Sequence, residues 1–358
     1  MKVFAAFLTV CVVLSFSFSS AFASYAAWKS CFSEAKALAL DGRTQEALKE
    51  AKLSVLESKD RHGRQTLNTV KSLELFAELT RETGNYSRAI KYQREAYEIV
   101  SRLRGKTDPN TIGALCKLAG LTILNGNLKT GKGYYDEAVL ICKNGNRSEC
   151  ITAAEPMIGL AQVLATEGKL LDAEKLYLSA IAKFRLFSKY QPELKLKMAA
   201  ALENLGAIYR SQGDYTSAVK CFDQSRSVYQ SLKATPEAQD GLCLSLLNLG
   251  DTYAGWGKHE RAIKSYKEAS VIMENHPDAD SSMMLGLVLK SLGDTYKNKG
   301  NMLMAANYYK KAVVRFETIA FVGNPLFLET VKCLAKVYKG MGMDSDAQAI
   351  EAKTLAMR

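Results

Sequence analysis

The side chains that most often carry chemistry are sparse in this 358-residue chain and do not assemble. The three histidines, His62, His259 and His276, stand alone, and none has a second histidine or cysteine at metal-ligand spacing. His62 and His276 read as connector residues and His259 follows a turn glycine, so all three are expected at the solvated surface. No HExxH, GxSxG, phosphate-loop or dinucleotide glycine pattern occurs. Gly131-Lys132-Gly133 is a lone tripeptide inside a helical pattern, and Asp136-Glu137 is an ordinary exposed acid pair. With no acid, base or nucleophile set together, the sequence points away from catalysis and calls for no cofactor or metal.

Thiols are the other reactive groups. Of eight cysteines, seven lie beyond residue 23, an odd number that leaves at least one thiol free or paired between chains. Cys142 and Cys150 flank the polar connector running from Lys143 to Glu149, and in an oxidising compartment they could close a short disulfide loop. The others fall singly or on helical patterns, where a buried cysteine acts as a small hydrophobe.

What positions these residues is a repeat. From Ala262, equivalent positions fall at Ala47, Ala89, Gly131, Ala173, Ala218, Ala305 and Ala347, in steps of 42 to 45 residues. Five residues before each anchor stands a glycine: Gly42, Gly84, Gly126, Gly168, Gly213, Gly257, Gly300 and Gly342. Twelve before it the residue is always small: Ala35, Ala77, Ala119, Ala161, Gly206, Gly250, Gly293 and Ala335. Four after it an aromatic recurs as Tyr135, Tyr177, Phe222, Tyr266 and Tyr309. Offsets of three, four and seven place such residues on one helix face. Each glycine then ends a first helix, and a second helix folds back on it. Small residues are expected where the two backbones approach, and aromatics in the gaps to the next pair. Five prolines fall between repeats and Pro156 in a first helical turn, so none interrupts a helix interior.

Leu249, Gly250, Tyr253, Gly257, Ala262, Tyr266 and Ala269 carry a pattern that resembles the tetratricopeptide (TPR) repeat. Leu292, Gly293, Tyr296, Gly300, Ala305, Tyr309 and Ala312 repeat it. The period near 42 and the connector Lys106-Thr107-Asp108-Pro109-Asn110-Thr111 resemble the kinesin light chain subtype. The likeness spans residues 28–358; the first two copies depart from it most, at Glu34, Ala51, Thr80 and Gln93. It implies an all-α fold, a right-handed superhelical solenoid of about eight helix-turn-helix repeats over residues 24–358. It also implies that first helices line a concave groove. First-helix positions outside the core columns are then Asn204, Asn248, Arg210, Asp251, Asp294, Lys297, Lys336 and Lys339. Asparagine amides offer both donor and acceptor to an extended peptide backbone, and Asn204 and Asn248 stand where kinesin light chain repeats carry asparagines.

Residues 1–23 read differently. Lys2 precedes the apolar run Val3 to Leu14, and Ala21-Phe22-Ala23 ends it in a small-x-small pattern. This is the layout of a cleavable secretory signal, with an uncleaved membrane anchor as the alternative. No other stretch is apolar and long enough to span a bilayer. The net charge is +11, spread along the chain, which suits a soluble, weakly basic surface and a protein or acidic peptide partner. Export argues against nucleic acid, and self-association is compatible with the repeats. The expected role is a secreted or periplasmic scaffold that binds a protein or peptide in its groove. The alternative is a structural component or accessory factor of a cell-envelope assembly, including polysaccharide machinery. N-terminal sequencing of the exported form is expected to begin at Ser24; recovery of Met1 in a membrane pellet would make residues 1–23 an anchor.

Overall fold

The computed structural model describes residues 25–58, 65–145, 151–189, 191, 193–232, 235–274, 279–319 and 325–356. The leader reading at 1–23, His62, His276 and Cys150 lie outside the described residues. Sixteen α-helices occur among the described residues, with no strand. They are α1 (25–40), α2 (Thr44–Glu57), α3 (Leu67–Glu82), α4 (Tyr86–Arg104), α5 (Pro109–Leu124), α6 (Leu128–Asn144), α7 (Ala154–Thr166) and α8 (Leu170–Phe187), then α9 (Leu194–Ser211), α10 (Tyr215–Ser231), α11 (Pro236–Gly255), α12 (His259–Glu274), α13 (Ala279–Asn298), α14 (Met302–Ile319), α15 (Pro325–Gly340) and α16 (Asp344–Ala356). Pairing them in order gives eight helix-turn-helix units on the sequence period. The chain divides into two compact bodies, residues 1–183 and 184–358. Within each, successive helices pack in chain order, the arrangement of a helical solenoid.

The turn inside each pair explains the glycine column. All eight glycines have positive φ, between 71° and 88°. The residue after each glycine donates its backbone N–H to the carbonyl five residues back, as in Lys258 to Tyr253 at 2.8 Å and Asn85 to Thr80 at 3.3 Å. The glycine's own N–H bonds three back, as in Gly257 to Ala254 at 3.0 Å. This is a Schellman cap, which closes the carbonyls that a helix end leaves open and needs a left-handed residue at its centre. Side chains then start several of the second helices: Asn85 accepts from Arg88 N, Asp214 from Ser217 N and Asn301 from Met304 N, each within 3.1 Å.

Between the two helices the anchor column is the close approach. Its alanines are fully buried, and in the third repeat a Cβ on Gly131 would stand 2.8 Å from the Ala119 carbonyl oxygen. The small column twelve residues earlier has another cause than the one expected. A Cβ on Gly250 would lie 2.3 Å from the Tyr266 ring, on Gly293 2.6 Å from Tyr309, and on Gly206 2.8 Å from Phe222. The glycine makes room for the ring of its own repeat's second helix, not for a backbone. These three rings are buried to the last percent or two and sit at the centre of their pairs, whereas Tyr135 packs against Gly159 of the following first helix, in the gap to the next pair as expected.

The departing copies are repaired locally. Gln93 takes the ring position of the second repeat, is buried, and donates its Nε2 to the Ala114 carbonyl at 3.1 Å. Phe76 and Tyr92 pack with ring centroids 4.5 Å apart and fill the volume instead. In α1 the buried Trp28 donates Nε1 to Ser72 Oγ at 2.9 Å. Three prolines expected between repeats, Pro109, Pro236 and Pro325, are in fact the first residues of α5, α11 and α15. A missing N–H costs nothing there.

Two glycine changes separate crowding from backbone freedom. Gly250→Ala is expected to destabilise by about 1–2 kcal/mol, because overpacking of the Tyr266 ring outweighs the gain in helix propensity. A Cβ on Gly113, within α5, meets nothing within 4 Å, so Gly113→Ala should stabilise by about 0.5–1 kcal/mol. Urea denaturation midpoints that move the same way in both variants would refute this packing.

Candidate functional site

The eight first-helix positions are found on α9, α11, α13 and α15, as the period requires. They do not form a row of free groups. Arg210 on α9 donates Nη1 to Asn248 Oδ1 at 3.3 Å and to Asp251 Oδ2 at 3.5 Å, both on α11. Asp251 accepts a second bond, from Tyr266 Oη at 2.6 Å. One repeat on, Tyr309 Oη donates to Asp294, which also takes Lys290 Nζ at 3.1 Å. Lys290 reaches Glu329 of α15 at 3.0 Å as well. Lys339 pairs with Glu351 at 2.8 Å. Five of the eight positions thus bond to groups of their own chain. Asn204, half-buried, Lys297, half-buried, and Lys336, exposed, make no such bond among the described residues.

At the base of this strip lies a residue that the sequence reading passed over. Glu203 on α9 is only 6% exposed. Asn248 donates Nδ2 to its Oε2 at 2.6 Å, and Ser245 Oγ donates to its Oε1. Ser245 also meets Ser225 Oγ at 3.2 Å, and Ser225 donates to the Ala199 carbonyl at 3.1 Å. A buried carboxylate is costly unless its oxygens are bonded, and here both are. Burial raises the Glu203 carboxyl above the ordinary range, with the Ser245, Ser225 and Asn248 bonds pulling the other way. Asp251 is raised too, chiefly by loss of water, against the Tyr266 bond and Arg210. With folded values above unfolded ones, the stability these carboxyls contribute is full below the ordinary carboxylate range and is lost as pH rises through their folded values. A sequence signal for Glu203 did exist. It stands four residues after Ala199 and three before Gly206, both buried, on the apolar face of its helix.

The remaining reactive groups stay apart. His259 is half-buried rather than fully solvated, and its Nδ1 is enclosed without a hydrogen-bond partner. Cys142 is buried on α6. Among the described residues no group of three or more His, Cys, Asp or Glu side chains is placed to hold a metal ion.

Residues 158–227, 197–275 and 280–313 match the tetratricopeptide repeat. No curated protein sequence matches the chain. Among solved structures, BtubC (BKLC) from P. vanneervenii is similar with a TM-score of 0.53 at 22% identity, over 70% of this chain and 94% of that one. A signal transduction ATPase with numerous domains and a tetratricopeptide repeat sensor, from Pyrococcus horikoshii, is similar with a TM-score of 0.64 at 16% identity. That match covers 87% of this chain and 44% of the other. Tetratricopeptide-like repeats of a putative kinesin light chain from Podosopora anserina align at 17% identity and a TM-score of 0.47, over 60% of this chain and 99% of theirs. At such identities the first two likenesses speak to the helical-repeat fold alone.

The strip's bonding changes what substitution there should do. Asn248→Ala leaves a buried Glu203 oxygen without its donor, and is expected to cost about 1–3 kcal/mol. Asn204→Ala removes no bond and should stay within about 0.5 kcal/mol of wild type. Equal melting temperatures for the two variants would show that the Glu203 contact contributes nothing.

Proposed function

We propose that this tetratricopeptide-repeat protein is a non-enzymatic scaffold, a structural or accessory component of an exported cell-envelope protein assembly. The observation that carries this reading is the internal bonding of the first-helix strip. A groove that holds an extended peptide through side-chain amides and charges needs those groups available. Here Asn248, Arg210, Asp251 and Asp294 already bond helices of neighbouring pairs to one another or to their own second helix. That bonding stiffens the array and leaves whole helix faces, rather than a peptide slot, as the surfaces that meet other proteins.

Export is supported by Lys2, the apolar run to Leu14 and the Ala21-Phe22-Ala23 pattern. No helix among the described residues is long and apolar enough to cross a membrane. Peptide capture is the second reading, favoured by Asn204, Lys297 and Lys336, whose side chains remain open. The finer kinship with kinesin light chain repeats rests on the 42-residue period and the Lys106 to Thr111 connector.

Native sizing of envelope extract tests the two readings together. The full chain is expected in a complex of fixed stoichiometry, well above its own mass, that survives the triple change Asn204→Ala, Lys297→Ala, Lys336→Ala. Loss of the complex in that variant would favour peptide capture. A wild-type chain that runs only at its own mass would overturn the assembly role.

A further inference from the structure

One repeat departs from the others on the outward face of its second helix. Counting five and six residues past the anchor gives Asp136-Glu137 in the third repeat, Asp223-Gln224 in the fifth and Lys267-Glu268 in the sixth, but Lys310-Lys311 in the seventh. Ten past the anchor, Ile99, Ile141, Val228 and Ile272 are apolar, whereas the first repeat has Glu57, the fourth Lys183 and the seventh Arg315. Only the seventh repeat carries cations both five and six past the anchor; Lys52, Arg94, Lys267 and Lys353 stand singly at one of those positions in other copies.

On α14, Lys310, Lys311, Val314 and Arg315 occupy one face at helical spacing. They line a cavity of about 530 Å³ between α12 and α14, floored by Leu289 of α13 and carrying one acid, Glu274. Val314 is half exposed although its neighbour Val313 is buried. Lys311 lies 5.5 Å over the Tyr308 ring, and Lys310 makes no ion pair among the described residues. A second cavity, between α10 and α12, is smaller, about 240 Å³, and balances Arg226, Arg261 and Lys264 with its own Asp223 and Glu268. Arg226 there is already paired to Asp223 at 2.9 Å. Lys310 and Lys311 thus set two cations beside an apolar floor, with Glu274 the one acid in the lining.

We propose that this groove docks an acidic amphipathic segment of a protein partner. Carboxylates of the segment meet Lys310 and Lys311, and an apolar side chain covers Val314 and Leu289. The apolar floor separates this occupant from a purely anionic polymer, which would use the lysines and leave the floor wet. The inference rests on the scaffold reading and assigns it a docking face, on second helices rather than in the first-helix strip.

The probe is a fluorescent synthetic peptide of glutamate and leucine in amphipathic helical order, titrated with the full chain. Lys310→Glu with Lys311→Glu should weaken binding by tenfold or more, and Val314→Ser by several-fold. Lys220→Glu with Lys264→Glu, the same change in charge on second helices away from the groove, should stay within twofold of wild type. The proposal is overturned by equal loss in the two charge-reversed proteins, or by undiminished binding in the first. It is equally overturned if polyglutamate or phosphatidylglycerol vesicles bind as well as the peptide, if the peptide's place is taken by a second copy of the chain, or if the wild type binds no peptide. A complex that persists in extract while the groove variants bind the peptide normally would sink the groove and spare the scaffold.

Discussion

One hydrogen bond recurs in every repeat and the rest follows from it: the backbone N–H after the turn glycine, donated five residues back into the helix just ended. It can form only if the glycine adopts a left-handed conformation, which any side chain would resist. Once formed, it fixes where the chain reverses, and so which residue of the second helix falls opposite which residue of the first. The anchor alanine then meets the first helix closely, and in the fifth, sixth and seventh repeats the ring four residues later drops onto the glycine that faces it. A slip of one residue at the turn would bring a ring against a full-sized side chain. The turn is thus a register mark as well as a cap.

That local determinism is why so much of the fold was legible. Glycine, anchor, small column and aromatic all lie within some sixteen residues of each other along the chain, and helical spacing alone converts their order into geometry. Pair boundaries, helix order and the start of second helices came out as the pattern required. Pro109, Pro236 and Pro325 open first helices rather than lying in connectors, because a connector and a first helical turn share the same sequence preferences.

The candidate strip was legible in position and not in state. Its members do sit on the helices assigned to them. Whether an asparagine is open to a ligand depends on what stands a whole repeat away: Arg210 and Glu203 reach Asn248 and Asp251 across 38 to 45 residues. No single-repeat pattern encodes that. Glu203 was missed because an acid on a helix is read as surface by default, although its neighbours on the same face were alanine and glycine. The seventh repeat teaches the reverse lesson. Lys310 and Lys311 are unremarkable as residues and stand out only as a pair, against the same two positions in sister copies.

The buried carboxylate has a bearing on evolution by duplication. Arrays of this kind lengthen or shorten by whole repeats, because each joint is interchangeable with the next. The joint between the fifth and sixth pairs is not. It matches a glutamate on α9 to a serine and an asparagine on α11, and a transplanted repeat lacking either partner would entomb a charge with nothing to hold it. Inserting or deleting a repeat is therefore expected to cost more at that joint than on either side of it, which makes the two pairs a fixed word in an otherwise extensible sentence.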